Sequence, residues 1–296
     1  MKRVLCFDIG GSKLLAGVVD EEGRVLDRRR ASLPEKYDFD YLIDELCRLA
    51  EGFEKYSPEL CGVTVPGLCD PASGVWVYAP FSGLSDLPIA SRLGERFGLP
   101  VYIENDVNAC ALAEARFGAC RGVDDFIWIT VSNGVGGGVF LDGKLYCGHL
   151  MNAGEIGHVI TDETSDNLCG CGNRGCLEAM ASGASIAKIY YARTGVRKNA
   201  KEVADAAKVG DEVALEIYRA AGWNIGRAAA DAANLMNLSC AVIGGGVSGD
   251  FALLEPSINA ALDRFLFRRA NPNFRVIATA LGYEAALIGC AATALR

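Results

Sequence analysis

Apolar and polar positions change over in short runs through the first thirty residues. Val4–Ile9, Leu14–Asp20 and Arg24–Ser32 read as three strands, joined by tight turns at Gly10-Gly11 and Glu21-Glu22-Gly23. The spacing then shifts. Phe39, Leu42, Ile43, Leu46, Leu49, Ala50 and Phe53 recur at helical intervals over 39–53. Cys61–Val65 reads as a fourth strand, closed by Pro66-Gly67, and Pro100–Ile103 as a fifth. A helix is predicted from about Val107 to Phe117, stopped by Gly118. A similar order follows. Phe126–Val131, Gly138–Leu141 and Lys144–Cys147 read as strands, then come helices over 182–193, 200–208 and 211–236. Ser239–Ile243 is a strand, 251–268 a helix, 274–279 a strand and 283–295 a last helix. Two halves that each open on a glycine-turned meander predict a duplicated α/β core. The expected division is 1–106 and 107–282, with 283–296 packing back on the first lobe.

Composition narrows the class. The 296 residues are 51% hydrophobic and 22% charged, an ordinary globular profile with enough apolar matter for a core in each half. The net charge of −8 repels a phosphate backbone, so nucleic acid is not an expected partner. No run of 18 apolar residues predicts a membrane span. Asp8 interrupts any apolar stretch after Met1-Lys2-Arg3, so no secretory leader is expected and the chain reads as cytoplasmic. Nine of the twelve cysteines are scattered, mostly in apolar runs, and read as small buried hydrophobes rather than disulfide partners.

Three glycine clusters stand at strand ends. Asp8-Ile9-Gly10-Gly11-Ser12-Lys13 lets backbone N–H groups approach phosphate oxygens, and Asp8 could hold Mg²⁺ through water. Taken alone, such a glycine pair reads first as a hairpin turn. Ser132-Asn133-Gly134-Val135-Gly136-Gly137-Gly138 has more glycine than a hairpin needs, and predicts a chain held tight against a ligand, with Ser132 and Asn133 as side-chain donors. Gly244-Gly245-Gly246 could pass under an adenine or ribose at a sheet edge. Together they favour nucleotide binding, in neither a Walker A nor a dinucleotide pattern.

Two further groups carry chemistry. Glu104-Asn105-Asp106 ends a strand and opens a helix, where Asp and Asn are the usual caps. Beside phosphate loops, Asp106 is also the carboxylate a kinase needs to accept the proton of the substrate hydroxyl, and Asn105 could bond sugar hydroxyls. His158, Cys169, Cys171 and Cys176 supply one imidazole and three thiols in a glycine-rich segment. That is the donor set of a closed structural zinc site, not of a catalytic metal. His149 has no such company.

In this order, Asp8–Lys13, Glu104–Asn108, Thr130–Gly138, Gly154–His158, Cys169–Glu178 and Gly244–Val247 resemble the ROK family of sugar kinases and repressors over nearly the whole chain, the His158-to-Glu178 segment most specifically. The resemblance implies an actin-like, hexokinase-type (ribonuclease H-like) α/β fold of two lobes with a cleft, using ATP and Mg²⁺, carrying a structural Zn²⁺, and assembling as a homodimer or homotetramer. It implies that Asp106 is the base, that Asn105, Glu155, His158 and Glu178 hold the sugar with Gly67 nearby, and that His158 serves both zinc and sugar. The chain has Ser12 where threonine is common, and Ser132-Asn133 where Gly-Thr is common. Glucose is the expected substrate. N-acetylmannosamine, N-acetylglucosamine, fructose and allose are the family's other acceptors. A repressor would carry an additional DNA-binding segment, for which a first strand at residue 4 leaves no expected room. A sugar sensor without catalysis would not need Asp106.

Overall fold

The computed structural model describes residues 2–296, and of Tyr283 the backbone alone. It divides into two compact units. One holds the chain up to Arg121 together with Cys147–Asn152 and Tyr283–Arg296; the other holds Gly122–Tyr146 and Ala153–Gly282.

In the first unit, β1 (Arg3–Ile9), β2 (Lys13–Asp20) and β3 (Val25–Ser32) form an antiparallel meander. After α1 (Phe39–Ala50) the chain enters β4 (Leu60–Val65), parallel to β1. Strands β5 (Leu68–Asp70), β6 (Val75–Tyr78) and β7 (Ser85–Leu87) form a small separate sheet. The helix α2 (Ile89–Phe97) leads to β8 (Val101–Asn105), parallel to β4, and then to α3 (Asp106–Phe117). The sheet order is β3-β2-β1-β4-β8.

The helical spacing read over 39–53 is realised in α1 as far as Ala50, and Phe53 opens a separate short turn after Gly52. Leu42, Ile43, Leu46, Leu49 and Ala50 are its buried positions, and Asp38 caps it by accepting from Tyr41 N at 2.8 Å.

The second unit repeats the plan. Strands β9 (Phe126–Val131), β10 (Val135–Leu141) and β11 (Lys144–Tyr146) form its meander. Helices α4 (Leu177–Ala181), α5 (Gly183–Thr194), α6 (Ala200–Lys208) and α7 (Glu212–Met236) follow. The chain then runs through β12 (Cys240–Gly244), α8 (Phe251–Phe265) and β13 (Arg275–Ala278). The order β11-β10-β9-β12-β13 matches that of the first sheet strand for strand.

The last helix, α9 (Ala285–Ala294), belongs to the first unit. With Val4, Cys6 and Val19 it buries Leu287, Cys290, Ala291 and Ala294 in one apolar cluster. It also packs on α3, where Gly289 lies against the Ala109 backbone. That packing moves the division from the expected residue 107 to Arg121/Gly122, because α3 stays with α9.

Candidate functional site

Asp106 is the first residue of α3, and the cap is its neighbour. Asn105 Oδ1 accepts from Val107 N at 3.0 Å and Asn108 N at 3.2 Å, while Nδ2 donates to Gly67 O and to Asp106 Oδ1, both at 3.1 Å. Both protons and both acceptor positions of that amide are therefore in use. Asn105 reaches a sugar hydroxyl only by giving up one of them. The arrangement also relieves Asp106 of the capping role open to it in the sequence, and leaves its carboxyl aimed by a single side-chain bond.

The environment of Asp106 changes its acidity. Removal of water around the carboxyl raises its pKa from 3.8 to about 7, and the negative charge of Asp8 adds to the rise. Asp8, at the end of β1, is itself raised by burial, against a hydrogen bond from Thr64 Oγ1 to its Oδ1 at 2.8 Å. Thr64 is fully buried on β4, in register with Asp8, and its hydroxyl also lies 3.4 Å from Cys290 Sγ. Sequence reading passed over Thr64. The signal was there, as a lone hydroxyl inside the apolar run of 61–65.

The first glycine cluster forms the β1–β2 hairpin turn, with Gly10 N donating to Lys13 O at 2.8 Å. Ser12 and Lys13 are exposed beside it. Gly11 is pressed by an aromatic ring, since a Cβ there would stand 2.7 Å from Phe81. Phe81, 63% exposed, follows Pro80, which packs on Gly67 at its left-handed φ of 79°. One short segment thus touches both the β1–β2 turn and the loop that Asn105 holds. Nothing in the local sequence marked Phe81.

The second cluster differs from its expectation. Gly136, Gly137 and Gly138 lie inside β10, and the turn is confined to 132–134. A Cβ on Gly137 would meet Gly154 O at 2.6 Å, so protein backbone, rather than a ligand, accounts for that glycine. Ser132 is half-buried, and its carbonyl accepts from Gly183 N at 2.6 Å; Asn133 is exposed. Gly134 makes room for Glu178, whose Oε2 accepts from Val135 N at 3.1 Å. In the third cluster, Gly244 and Gly245 are crowded by Trp128 and by Val131 O, and Gly246 alone faces open space.

The thiols do converge. Side-chain ligand atoms of His158, Cys169 and Cys171 lie within 4.8 Å of one another, and Cys176 Sγ is 3.6 Å from Cys171 Sγ. His158 presents Nδ1 to Cys169 Sγ at 3.6 Å and Nε2 to Glu155 Oε2 at 3.7 Å. Around a tetrahedral zinc, bonds of about 2.3 Å to sulfur and 2.0 Å to nitrogen set donor separations near ~3.8 Å (S···S) and ~3.5 Å (S···N). The two 3.6 Å pairs suit that ion; His158, Cys169 and Cys171 form the group that converges, and Cys176 adjoins it through Cys171. Gly175, at φ 69°, closes the loop where any Cβ would strike Asp162 O. Glu178 Oε1 lies 3.8 Å from Cys169 Sγ, so one carboxylate spans the thiol cluster and the β9–β10 turn.

One buried contact was not legible at all. Glu104 is 1% exposed, accepts from Asn105 N at 3.1 Å and Asn108 Nδ2 at 3.2 Å, and pairs with Arg296. It braces the start of α3 from below. Among the described residues, no helix is long and apolar enough to cross a membrane.

Two sheets of one repeated order, each flanked by helices, define the actin-like, hexokinase-type fold. The ROK family pattern matches residues 4–296. The glucokinase of Streptomyces coelicolor is 32% identical over 96% of this chain and 95% of its own. The crystal structure of a ROK family glucokinase from Streptomyces griseus, in complex with glucose and AMPPNP, is 33% identical with a TM-score of 0.86, covering 99% of both chains. The Escherichia coli regulator NagC is 29% identical over 90% of this chain and 69% of its own. The chain belongs to the ROK family, as a sugar kinase.

Proposed function

We propose that the protein transfers the γ-phosphoryl group of ATP to a hydroxyl of glucose, with Asp106 as general base. The observation that carries this is the state of Asp106. A carboxyl with a pKa of about 7 is part-ionised at neutral pH, and its acidity suits accepting a proton as the hydroxyl attacks phosphorus. The sugar O–P bond forms, the γ–β bridging P–O bond breaks, ADP leaves, and the hydroxyl proton passes to Asp106.

Asp8 has one oxygen bonded to Thr64 and a charge short of water, a donor suited to hydrated Mg²⁺. Bound there, Mg²⁺ would neutralise phosphate charge. The first turn, the 132–134 turn and Gly246 are assigned to the nucleotide. Glu155, His158 and Glu178 are assigned to sugar hydroxyls, with Asn105 and Gly67 beside Asp106. His158, Cys169, Cys171 and Cys176 would hold Zn²⁺, which supplies no reaction step and fixes the histidine ring so that Nε2 keeps its aim. The names of the two glucokinases support glucose over the N-acetylhexosamines, fructose and allose. The active form is assigned as a homodimer or homotetramer, testable by light scattering.

The test is ADP release across a hexose panel. Glucose is expected to give the highest kcat/KM; a higher value for another hexose reassigns the substrate, and no turnover with any sugar overturns the reading.

A further inference from the structure

The turn of 132–134 between β9 and β10 is held from outside as well as within. Ser132 N donates across it to Gly134 O at 2.9 Å. On one side Ser132 O accepts from Gly183 N at 2.6 Å, and on the other Val135 N donates to Glu178 Oε2 at 3.1 Å. Glu178 is the second residue of α4 and Gly183 the first of α5, so one short stretch of chain grips both ends of the turn. That stretch is itself tied, with Glu178 O accepting from Ser182 N at 3.1 Å and from Ser185 Oγ at 2.9 Å. Leu177 and Ala181 are buried in one apolar cluster with Val131 and Val135, the residues flanking the turn. The Glu178 carboxyl therefore starts from a backbone anchored in the same core as the strands it reaches.

Gly134 is the other half of this contact. Its backbone is not left-handed, so conformation does not demand glycine. A Cβ there would meet Glu178 alone, with Oε2 at 2.6 Å and Cδ at 3.5 Å. Glycine at 134 is the space through which the carboxyl arrives at Val135 N. Inside the clamp, the N–H groups of Asn133 and Gly134 make no hydrogen bond among the described residues. Neighbouring unpaired N–H groups on a tight turn suit the oxygens of a phosphate. The bonds at Ser132 and Val135 fix the directions in which those two donors point.

A carboxylate accepting from a backbone N–H forms a charge-assisted bond, roughly twice as strong as a neutral one. Oε1 of Glu178 lies 3.8 Å from Cys169 Sγ, so the oxygen that holds the turn and the oxygen that faces the thiols are different atoms. We propose that Glu178 is a positioning residue for the phosphoryl donor. It holds the 132–134 turn through Val135 N so that the N–H groups of Asn133 and Gly134 face the donor's phosphate oxygens. The proposal rests on the assignment of that turn to the nucleotide. It gives Glu178 a task on the donor side that needs no sugar in place.

The test measures binding of AMPPNP with Mg²⁺ by calorimetry in the absence of sugar, beside the phosphorylation of glucose by ATP. Glu178→Ala removes the acceptor and is expected to weaken AMPPNP about tenfold or more, with a matching rise in KM for ATP. Glu178→Gln keeps an amide oxygen for Val135 N and is expected to stay within about threefold of the parent in AMPPNP binding, whatever it does to the KM for glucose. Gly134→Ala pushes the carboxyl off Val135 N and is expected to weaken AMPPNP in the parent, but to add nothing to Glu178→Ala, where the Cβ has room. Unchanged AMPPNP affinity in Glu178→Ala or, should that variant fail to fold, in Gly134→Ala overturns the proposal. Glucose phosphorylation by the parent would then leave the kinase reading standing. Equal losses in the Ala and Gln variants also overturn it, by tracing the effect to the lost charge instead of the bond to Val135. A parent that binds no AMPPNP and phosphorylates no sugar removes the kinase reading itself, and the proposal with it.

Discussion

Replacing Asp106 with asparagine should make the protein slower and more stable at once. The kinetic half follows from the loss of a positioned general base, worth about 10²–10⁴ in kcat. The stability half follows from the raised pKa. The unfolded carboxyl loses its proton near 3.8 and the folded one near 7, so the folded state pays nothing below 3.8. Above that, stability falls as pH rises, and the full penalty is reached above the folded value. At roughly 1.4 kcal/mol per pH unit the ceiling is about 4 kcal/mol. Asp106 is only half-buried, and water and the Asn105 amide reduce this to an expected ~1–2 kcal/mol. Asparagine removes the charge and keeps an oxygen for Asn105 Nδ2. Thermal unfolding at pH 8 should therefore rise by about 2–6 °C in Asp106→Asn, with no gain at pH 4. The assays are ADP release and differential scanning fluorimetry at both pH values. A variant within about threefold of the parent in kcat, or one destabilised at pH 8, refutes the reasoning.

The kcat/KM profile for sugar should fall on the acid side with a midpoint near pH 7, where Asp106 takes up its proton, and a flat profile from pH 5.5 to 8 contradicts it. Cys171→Ser should lower bound zinc by metal analysis and raise the sugar KM by about 10–100-fold through His158, while a metal-free parent protein removes the argument. Phe81→Ala should raise KM for sugar or ATP, because the ring covers Gly11, and unchanged constants would show it idle. Arg296→Ala leaves Glu104 buried without its ion pair and should cost about 1–3 kcal/mol, less than the usual 3–5 because two amides still donate to Glu104. Urea denaturation reads that loss.

How far the sequence carried depended on separation along the chain. The thiol cluster was legible because its donors span 158–176 and fold locally. The repeated meanders predicted the repeated sheet order, since strand periodicity and glycine turns are short-range signals. The small sheet of 68–87 was missed, as its strands are three or four residues long. Asn105 and Asp106 could not be told apart, because both are good caps and only backbone angles decide between them. The excess glycine of 134–138 was read as room for a ligand, where in Gly137 it is room for the backbone of Gly154. Thr64 against Asp8 and Glu104 against Arg296 join residues 56 and 192 positions apart, beyond any local pattern.

The placement of α9 fixes an order of events during synthesis. It covers Val4, Cys6 and Val19, yet is made some 280 residues after them. At about 5–20 residues per second, the ribosome leaves that apolar sheet face bare for roughly 15–60 s. The second unit is complete at Gly282, before α9 has emerged. The half begun first is thus the half finished last. A nascent chain of this protein leaves the apolar face of Val4, Cys6 and Val19 without its α9 cover throughout most of its elongation.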